Sequence, residues 1–238
     1  MWSGPRTLST ALMRSFGSRA DAVVVDEPLY GYYLARTGID HPGRQEILAS
    51  MPTDWREVVR RLTSGALPEG KTVCYAKHMT HHLLPEVDRG ALAGLRHAFL
   101  IRDPRRLLAS YARVRATPTL ADLGLEQQVE IFRRFGGPVI DAADLVARPR
   151  PVLEALCGAL GIAFDPAMLS WAPGPRPEDG VWGRHWYASV WASTGFGAGP
   201  GPDAANGPAR GLPPELERLA DRCQPYYAEL AAVRLARA

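Results

Sequence analysis

Short apolar runs alternate along most of the chain with segments of helical spacing. Ala22-Val23-Val24-Val25-Asp26, Lys71-Thr72-Val73-Cys74-Tyr75-Ala76, Ala98-Phe99-Leu100-Ile101 and Pro138-Val139-Ile140-Asp141 read as strands. Their continuous apolar character is that of parallel strands covered on both faces. Between them, residues 11–16, 53–62, 105–113 and 150–160 carry apolar positions at helix spacing. The second has Thr53 and Asp54 to cap it, an acid in its first turn and bases in its last, and Gly161 closes the fourth. Strands alternating with helices predict an α/β fold with a mainly parallel sheet flanked by helices.

In such a sheet ligands gather at the carboxyl ends of the strands. The polar residues fall there: Glu27-Pro28 after the first run, Lys77-His78-Met79-Thr80-His81-His82 after the second, Arg102-Asp103-Pro104 after the third. Ser3-Gly4-Pro5-Arg6-Thr7-Leu8-Ser9-Thr10 forms a turn before a helix, with hydroxyls expected to cap that helix. Only Met1 and Trp2 precede it, so either the strand that should carry this turn is almost absent or the natural start lies upstream of this chain. Residues 29–34, with Tyr30, Tyr32 and Tyr33, read as a helix or loop presenting aromatic surface. From Trp171 the chain is rich in Trp, Gly and Pro, and residues 197–211 read as a flexible loop. A C-terminal helix over residues 213–238 is expected to be interrupted near Pro225. No internal repeat is visible, and the whole of 1–238 reads as one domain.

Composition narrows the partners. The 238 residues are 46% hydrophobic, enough for a sizeable core. A net charge of +3 with dispersed arginines argues for local anion pockets and against a nucleic-acid partner. Three widely spaced cysteines make neither a disulfide framework nor a zinc site, and His78, His81 and His82 sit on one short segment without a distant carboxylate pattern, so no metal is expected. No apolar run approaches a membrane span, and no signal-peptide pattern is present, so the expectation is a cytoplasmic protein without a membrane partner. A homodimer is compatible with these features.

The turn at Gly4, Pro5, Arg6, Thr7, Leu8, Ser9 and Thr10 is an anion cradle, because a helix start offers free N–H groups and Arg6 a fork of donors. It is not a Walker A loop, since no Gly-Lys pair follows, which disfavours a kinase or nucleotide hydrolase. Arg102, at a strand end, and Ser110, eight residues on in the next helix, are placed to converge on a second phosphate. Two anion sites on one sheet edge suggest a nucleotide phosphorylated at both ends.

The ordered set of motifs resembles the sulfotransferase family that uses 3′-phosphoadenosine-5′-phosphosulfate (PAPS). Pro5-Arg6-Thr7-Leu8-Ser9-Thr10 is similar to its 5′-phosphosulfate loop, with Arg6 for the common Lys and Leu8 for the common Gly. Arg102 with Ser110-Tyr111 resembles its 3′-phosphate element, and residues 139–145 followed by 156–164 its strand-acidic-x-Leu element and short helix. The resemblance implies a P-loop nucleotide-binding-like three-layer sandwich. It also implies PAPS as co-substrate, and transfer of the sulfuryl group to a hydroxyl or amine of a small-molecule acceptor. Arg6 and Lys77 are then the candidates to stabilise the transferring group, and Glu27 or else His78 the candidate base. Arg184, after Val181-Trp182-Gly183, stands where the family's nucleotide lid has a Lys. Trp182, Trp186, Tyr187 and Trp191 fit an apolar acceptor pocket equally well. A non-catalytic nucleotide-binding protein of the same fold is the competing reading.

Overall fold

The computed structural model describes residues 1–115, 117–197 and 211–235. In chain order the elements are β1 (Trp2–Ser3), α1 (Ser9–Gly17), β2 (Ala22–Asp26), α2 (Tyr30–Thr37), α3 (Arg44–Ser50), α4 (Trp55–Ser64), β3 (Val73–Met79) and β4 (Phe99–Ile101). There follow α5 (Pro104–Tyr111), α6 (Leu120–Leu123), α7 (Leu125–Phe135), β5 (Val139–Asp141), α8 (Ala142–Ala147), α9 (Pro149–Ala159), α10 (Gly183–Trp186), α11 (Ala188–Trp191) and α12 (Pro214–Ala232). The strands form one parallel sheet in the order β2-β3-β1-β4-β5. The chain crosses from one side of β1 to the other after β3, so the loop leaving β1 lies at the topological switch point, where open α/β sheets bind ligands.

Two residues suffice for the central strand because its neighbours hold it from both sides. Trp2 N–H donates to Ala98 O at 2.8 Å, and the amide of His78 donates to Met1 O at 2.9 Å. The buried Gln128 of α7 donates through Nε2 to Trp2 O (3.0 Å) and Leu100 O (3.1 Å), satisfying carbonyls that a longer ladder would otherwise use. Alternation along the strands then sorts the core into two layers. Trp2, Phe99, Ile101 and Val139 face one set of helices, with Val129 and Leu230 packed against them. Met1, Tyr75, Leu100 and Ile140 face the other, with Leu12, Phe16 and Leu153; Phe16 stacks on Tyr75 at 4.2 Å between centroids.

Several boundaries differ from the sequence expectation. β3 runs on to Met79, so Lys77 and His78 lie within a strand and not after it. α12 continues through Pro225 without a break, since proline removes one backbone donor and the helix is held by its packed face. The hydroxyls of the first loop do not cap α1: the capping position is Leu8, at φ 71°, without a side-chain hydrogen bond, and Thr7 Oγ1 instead donates back to Gly4 O at 2.9 Å. α3 and α7 were not anticipated. The expected flexible stretch 197–211 lies, except for its end residues, outside the described residues. Among the described residues no helix is long and apolar enough to cross a membrane.

Gly124, between α6 and α7 at φ +64°, passes so close to the end of β3 that an added Cβ would stand 2.4 Å from the backbone nitrogen of His81. Gly124→Ala is therefore expected to destabilise the fold by about 2–3 kcal/mol, read as a lower urea midpoint at unchanged slope.

Candidate active site

The first loop is built on strained backbone. Arg6 and Leu8 both have positive φ, at 59° and 71°, a conformation costing about 1–2 kcal/mol for a residue with a side chain. The common Gly of the resembling loop falls at Leu8, where left-handed backbone would be free of that cost. The loop is tied to the element expected to bind a second phosphate: Arg102 Nη1 donates to Arg6 O at 2.6 Å, and Arg6 Nε donates to Ser110 Oγ at 3.0 Å. Arg6, Arg102 and Ser110, separate in sequence, thus form one polar edge.

β2 and β3 lie side by side with Asp26 paired to Lys77 in register, and Glu27 N–H donates to Lys77 O at 2.9 Å. Glu27 is itself at φ 42°, another strained position of the kind that clusters at functional sites. Its turn brings two carboxylates onto one ammonium. Lys77 Nζ lies 2.7 Å from Asp26 Oδ1 and 2.9 Å from Glu27 Oε1 and is 1% exposed. It also donates to Thr10 Oγ1 at 3.2 Å, which connects the ion cluster to the start of α1. Burial alone would depress the Lys77 pKa, but attraction to Asp26 and Glu27 outweighs it and the pKa is raised. Burial raises the Glu27 pKa, reinforced by Asp26 and opposed by Lys77. Such a cluster costs much desolvation and is weak as a source of stability, which points to chemistry as its reason.

A cavity of about 280 Å³ joins these parts. Pro5, Arg6, Ser9 and Thr10 line one side of it and Glu27 and Lys77 its floor. Tyr30, Tyr111 and Trp186 supply aromatic walls. His81 and His82 also line it, each with a buried Nδ1 lacking a hydrogen-bond partner. Burial keeps both imidazoles neutral, His81 with its pKa lowered to about 3. His82 Nδ1 stands 4.0 Å from Glu27 Oε2, too far for a direct bond and close enough for one small polar group to touch both.

Of the expected site residues, Gly4, Thr7, Arg102 and Ser110 stay beside the loop without lining this cavity, and His78 and Arg184 lie away from it. His78 follows Lys77 in β3, so alternation turns it to the opposite face, where its ring stacks on Trp2 at 4.2 Å. A base there could not reach the loop. Arg184 lies on the outer side of α10, its side chain 54% exposed, bonded to Glu46 and to His185 Nε2. Neighbouring residues reach inward instead. Arg14 of α1 forms a buried pair with Asp179 at 2.5 Å, and Trp191 Nε1 donates to the same carboxylate oxygen at 2.8 Å. This anchors the segment that delivers Trp182, Trp186 and Tyr187 to the site. Asp26 and His82 belong to this cluster without having been named as site candidates, and Tyr187, expected only as a wall of an apolar pocket, joins it through its hydroxyl. The in-register pairing of β2 with β3 is the signal that could have found Asp26.

A Gly-Pro loop at the switch point of a parallel sheet, opening onto a buried carboxylate and ammonium, places the chain in the P-loop-like α/β class. The sulfotransferase-domain family matches residues 1–215, and the chain belongs to that family. Its fold is similar to three solved structures. A sulfotransferase from Alicyclobacillus acidocaldarius superposes with a TM-score of 0.55 at 14% identity, covering 99% of this chain and 95% of that one. The sulfotransferase domain of the Synechococcus PCC 7002 olefin synthase gives 0.53 at 17% identity, covering 93% and 92%. The sulfotransferase domain from the curacin biosynthetic pathway gives 0.52 at 14%, covering 94% and 95%. At these identities the likeness concerns the fold. Two Arabidopsis thaliana proteins, branched-chain-amino-acid aminotransferase-like proteins 1 and 2, are 42% and 38% identical over 200 residues, 82% of this chain. The chain spans only about a third of their length, 36% and 35%, and their names describe the whole proteins.

Proposed function

We propose that this chain transfers the sulfuryl group of PAPS to a hydroxyl or amine of a small-molecule acceptor. The observation that carries this reading is the single cavity in which the loop at Pro5–Thr10 meets Glu27 and Lys77. The residues fit a doubly phosphorylated nucleotide. Arg6 and the start of α1 suit its 5′ end, Arg102 and Ser110 its 3′-phosphate, as strong charge-assisted donors. PAPS, when bound, supplies the sulfuryl group, whose bond to the 5′-phosphate breaks as a bond to the acceptor atom forms, leaving 3′,5′-adenosine bisphosphate.

The chain's own residues then have separate tasks. Glu27 Oε1 is committed to Lys77, and Oε2 is the oxygen on the His82 side, available to take the acceptor's proton. His82 Nδ1 can hold the same acceptor group. Lys77 and Arg6 present fixed positive charge where charge develops on the oxygens of the transferred group, so little reorganisation accompanies transfer. The aromatic walls exclude water and favour an acceptor with apolar surface.

Titration calorimetry with 3′,5′-adenosine bisphosphate tests the reading, and absence of binding by the full chain would reject it. Arg102→Ala should weaken that binding by about 10–100-fold, both by loss of a charged donor and by release of the Arg6 carbonyl.

A further inference from the structure

Tyr187 occupies the node of the buried cluster. Its hydroxyl has one proton and two lone pairs, and all three are used. It donates to Asp26 Oδ2 at 2.6 Å, with Glu27 Oε1 3.2 Å away as the alternative acceptor. It accepts from Lys77 Nζ at 2.6 Å and from Trp182 Nε1 at 3.1 Å. The contact of Lys77 with Asp26 Oδ1 is close at 2.7 Å but lacks hydrogen-bond alignment, so that oxygen has no directional partner. The aligned bonds of the ammonium go to two neutral hydroxyls, Tyr187 and Thr10.

We propose that Tyr187 is a positioning residue for the transfer step: its hydroxyl, steered by Trp182, holds Lys77 between Thr10 and the carboxylates and keeps Glu27 in its charged, proton-accepting form. This rests on the sulfuryl-transfer reading of the same site. The physical argument is one of competition. Two buried carboxylates compete for one ammonium, and without the hydroxyl Asp26, stripped of its other donor, draws Lys77 toward itself, away from Glu27 and from the start of α1. With the hydroxyl present, Asp26 receives a directed proton from Tyr187 and its demand on Lys77 is reduced. Tyr187 lies between α10 and α11, so the segment that carries no lid cation into the cavity contributes a hydroxyl to the sheet edge instead. Neither the loop nor the strands of the site contain a residue placed to substitute for it among the described residues.

The test is Tyr187→Phe in the full chain, with three readouts: affinity for 3′,5′-adenosine bisphosphate, release of that bisphosphate from PAPS, and titration of Glu27 followed by carbon-13 NMR of labelled glutamate. The expected result is bisphosphate affinity within about twofold, PAPS turnover lower by about tenfold or more, and the acid limb of the rate profile and the Glu27 midpoint both displaced upward by at least about half a pH unit, because Lys77 is drawn from Glu27 toward Asp26 and the alternative hydrogen bond from Tyr187 to Glu27 is lost. An unmoved Glu27 midpoint overturns the proposal, and so does a fall in affinity and rate in equal proportion at an unmoved acid limb, the signature of a merely structural role. If Tyr187→Phe does not fold, Trp182→Phe decides: it leaves the hydroxyl but removes its donor, and should shift the Glu27 midpoint in the same direction by less, with no shift again overturning the proposal. Failure of the unaltered chain to bind the bisphosphate would reject the sulfuryl-transfer reading instead, while the Glu27 titration still reports whether Tyr187 governs that carboxyl.

Discussion

Glu27→Gln is expected to lower sulfuryl turnover by about 10²–10⁴-fold while 3′,5′-adenosine bisphosphate binds within about twofold of the unaltered chain. Glutamine keeps the shape of the side chain and an oxygen for Lys77 and Tyr187, yet it cannot accept a proton from the acceptor. It tolerates the left-handed backbone at this position no worse than glutamate. The same assignment fixes a pH dependence. A base works when deprotonated, and burial raises the Glu27 pKa above the ordinary glutamate value of about 4.3. Activity should therefore fall as pH drops through that raised pKa, at a higher pH than for a solvated glutamate, and the residual activity of Glu27→Gln should lose this limb. A steady-state pH profile of kcat/KM checks both. Full turnover in the glutamine variant would move the base to another residue, with the neutral, cavity-lining His82 the nearest candidate.

The second large effect belongs to Lys77. Lys77→Met should cost about 3–5 kcal/mol of stability, because it leaves the buried Asp26 and Glu27 without their cation. It should also reduce turnover by about 10²–10³-fold through loss of fixed positive charge at the loop. The stability change has a sign that chemical denaturation at several pH values would read. Without Lys77 the attraction opposing burial at Glu27 disappears, so its folded pKa rises further above its unfolded value. A folded state with a raised carboxyl pKa binds more protons than the unfolded chain, and its stability declines as pH rises from the unfolded pKa to the folded one. The variant should therefore be more stable near pH 5 than near pH 8. Adding Asp26→Asn should recover part of the loss by removing one of the two stranded charges.

The two effects rest on different links between sequence and function. Glu27 is a matter of which strand end a carboxylate follows, and the run Val23-Val24-Val25 before it announces that position. Lys77 announces itself only by lying near the end of an apolar run. That its charge is compensated by Asp26, Glu27 and the hydroxyls of Thr10 and Tyr187 is a property of elements brought together from residues 10, 26, 27, 77 and 187.

His78 shows how little a three-residue uncertainty in a strand boundary allows. When the strand is taken to end at Ala76, Lys77 and His78 can both be imagined at a loop facing the ligand. Once it runs to Met79, the period of two sends them to opposite faces, and His78 becomes a partner for Trp2. Arg184 fails for a similar reason: a short helix turns its side chain out toward Glu46, and Tyr187, three residues on, turns in. Gln128 has no motif at all, because its task is to satisfy the carbonyls of a two-residue strand far away in sequence.

What the sequence by itself determined is the order of layers, the membership of the loop at Gly4 to Thr10, and the placement of Arg102, Ser110 and Glu27 at one sheet edge. Those follow from local periodicity and from the rule that parallel strands present their carboxyl ends together. Only the tertiary structure decided which side chains meet: that Arg6 bonds Ser110, that Lys77 is held by two carboxylates and two hydroxyls, and that Tyr187, expected only as a pocket wall, is one of those hydroxyls while Arg184 turns outward. Contacts of that kind are set by strand register, by which face each side chain takes, and by chain segments more than 100 residues apart, and none of these has a local signature for a short motif to carry.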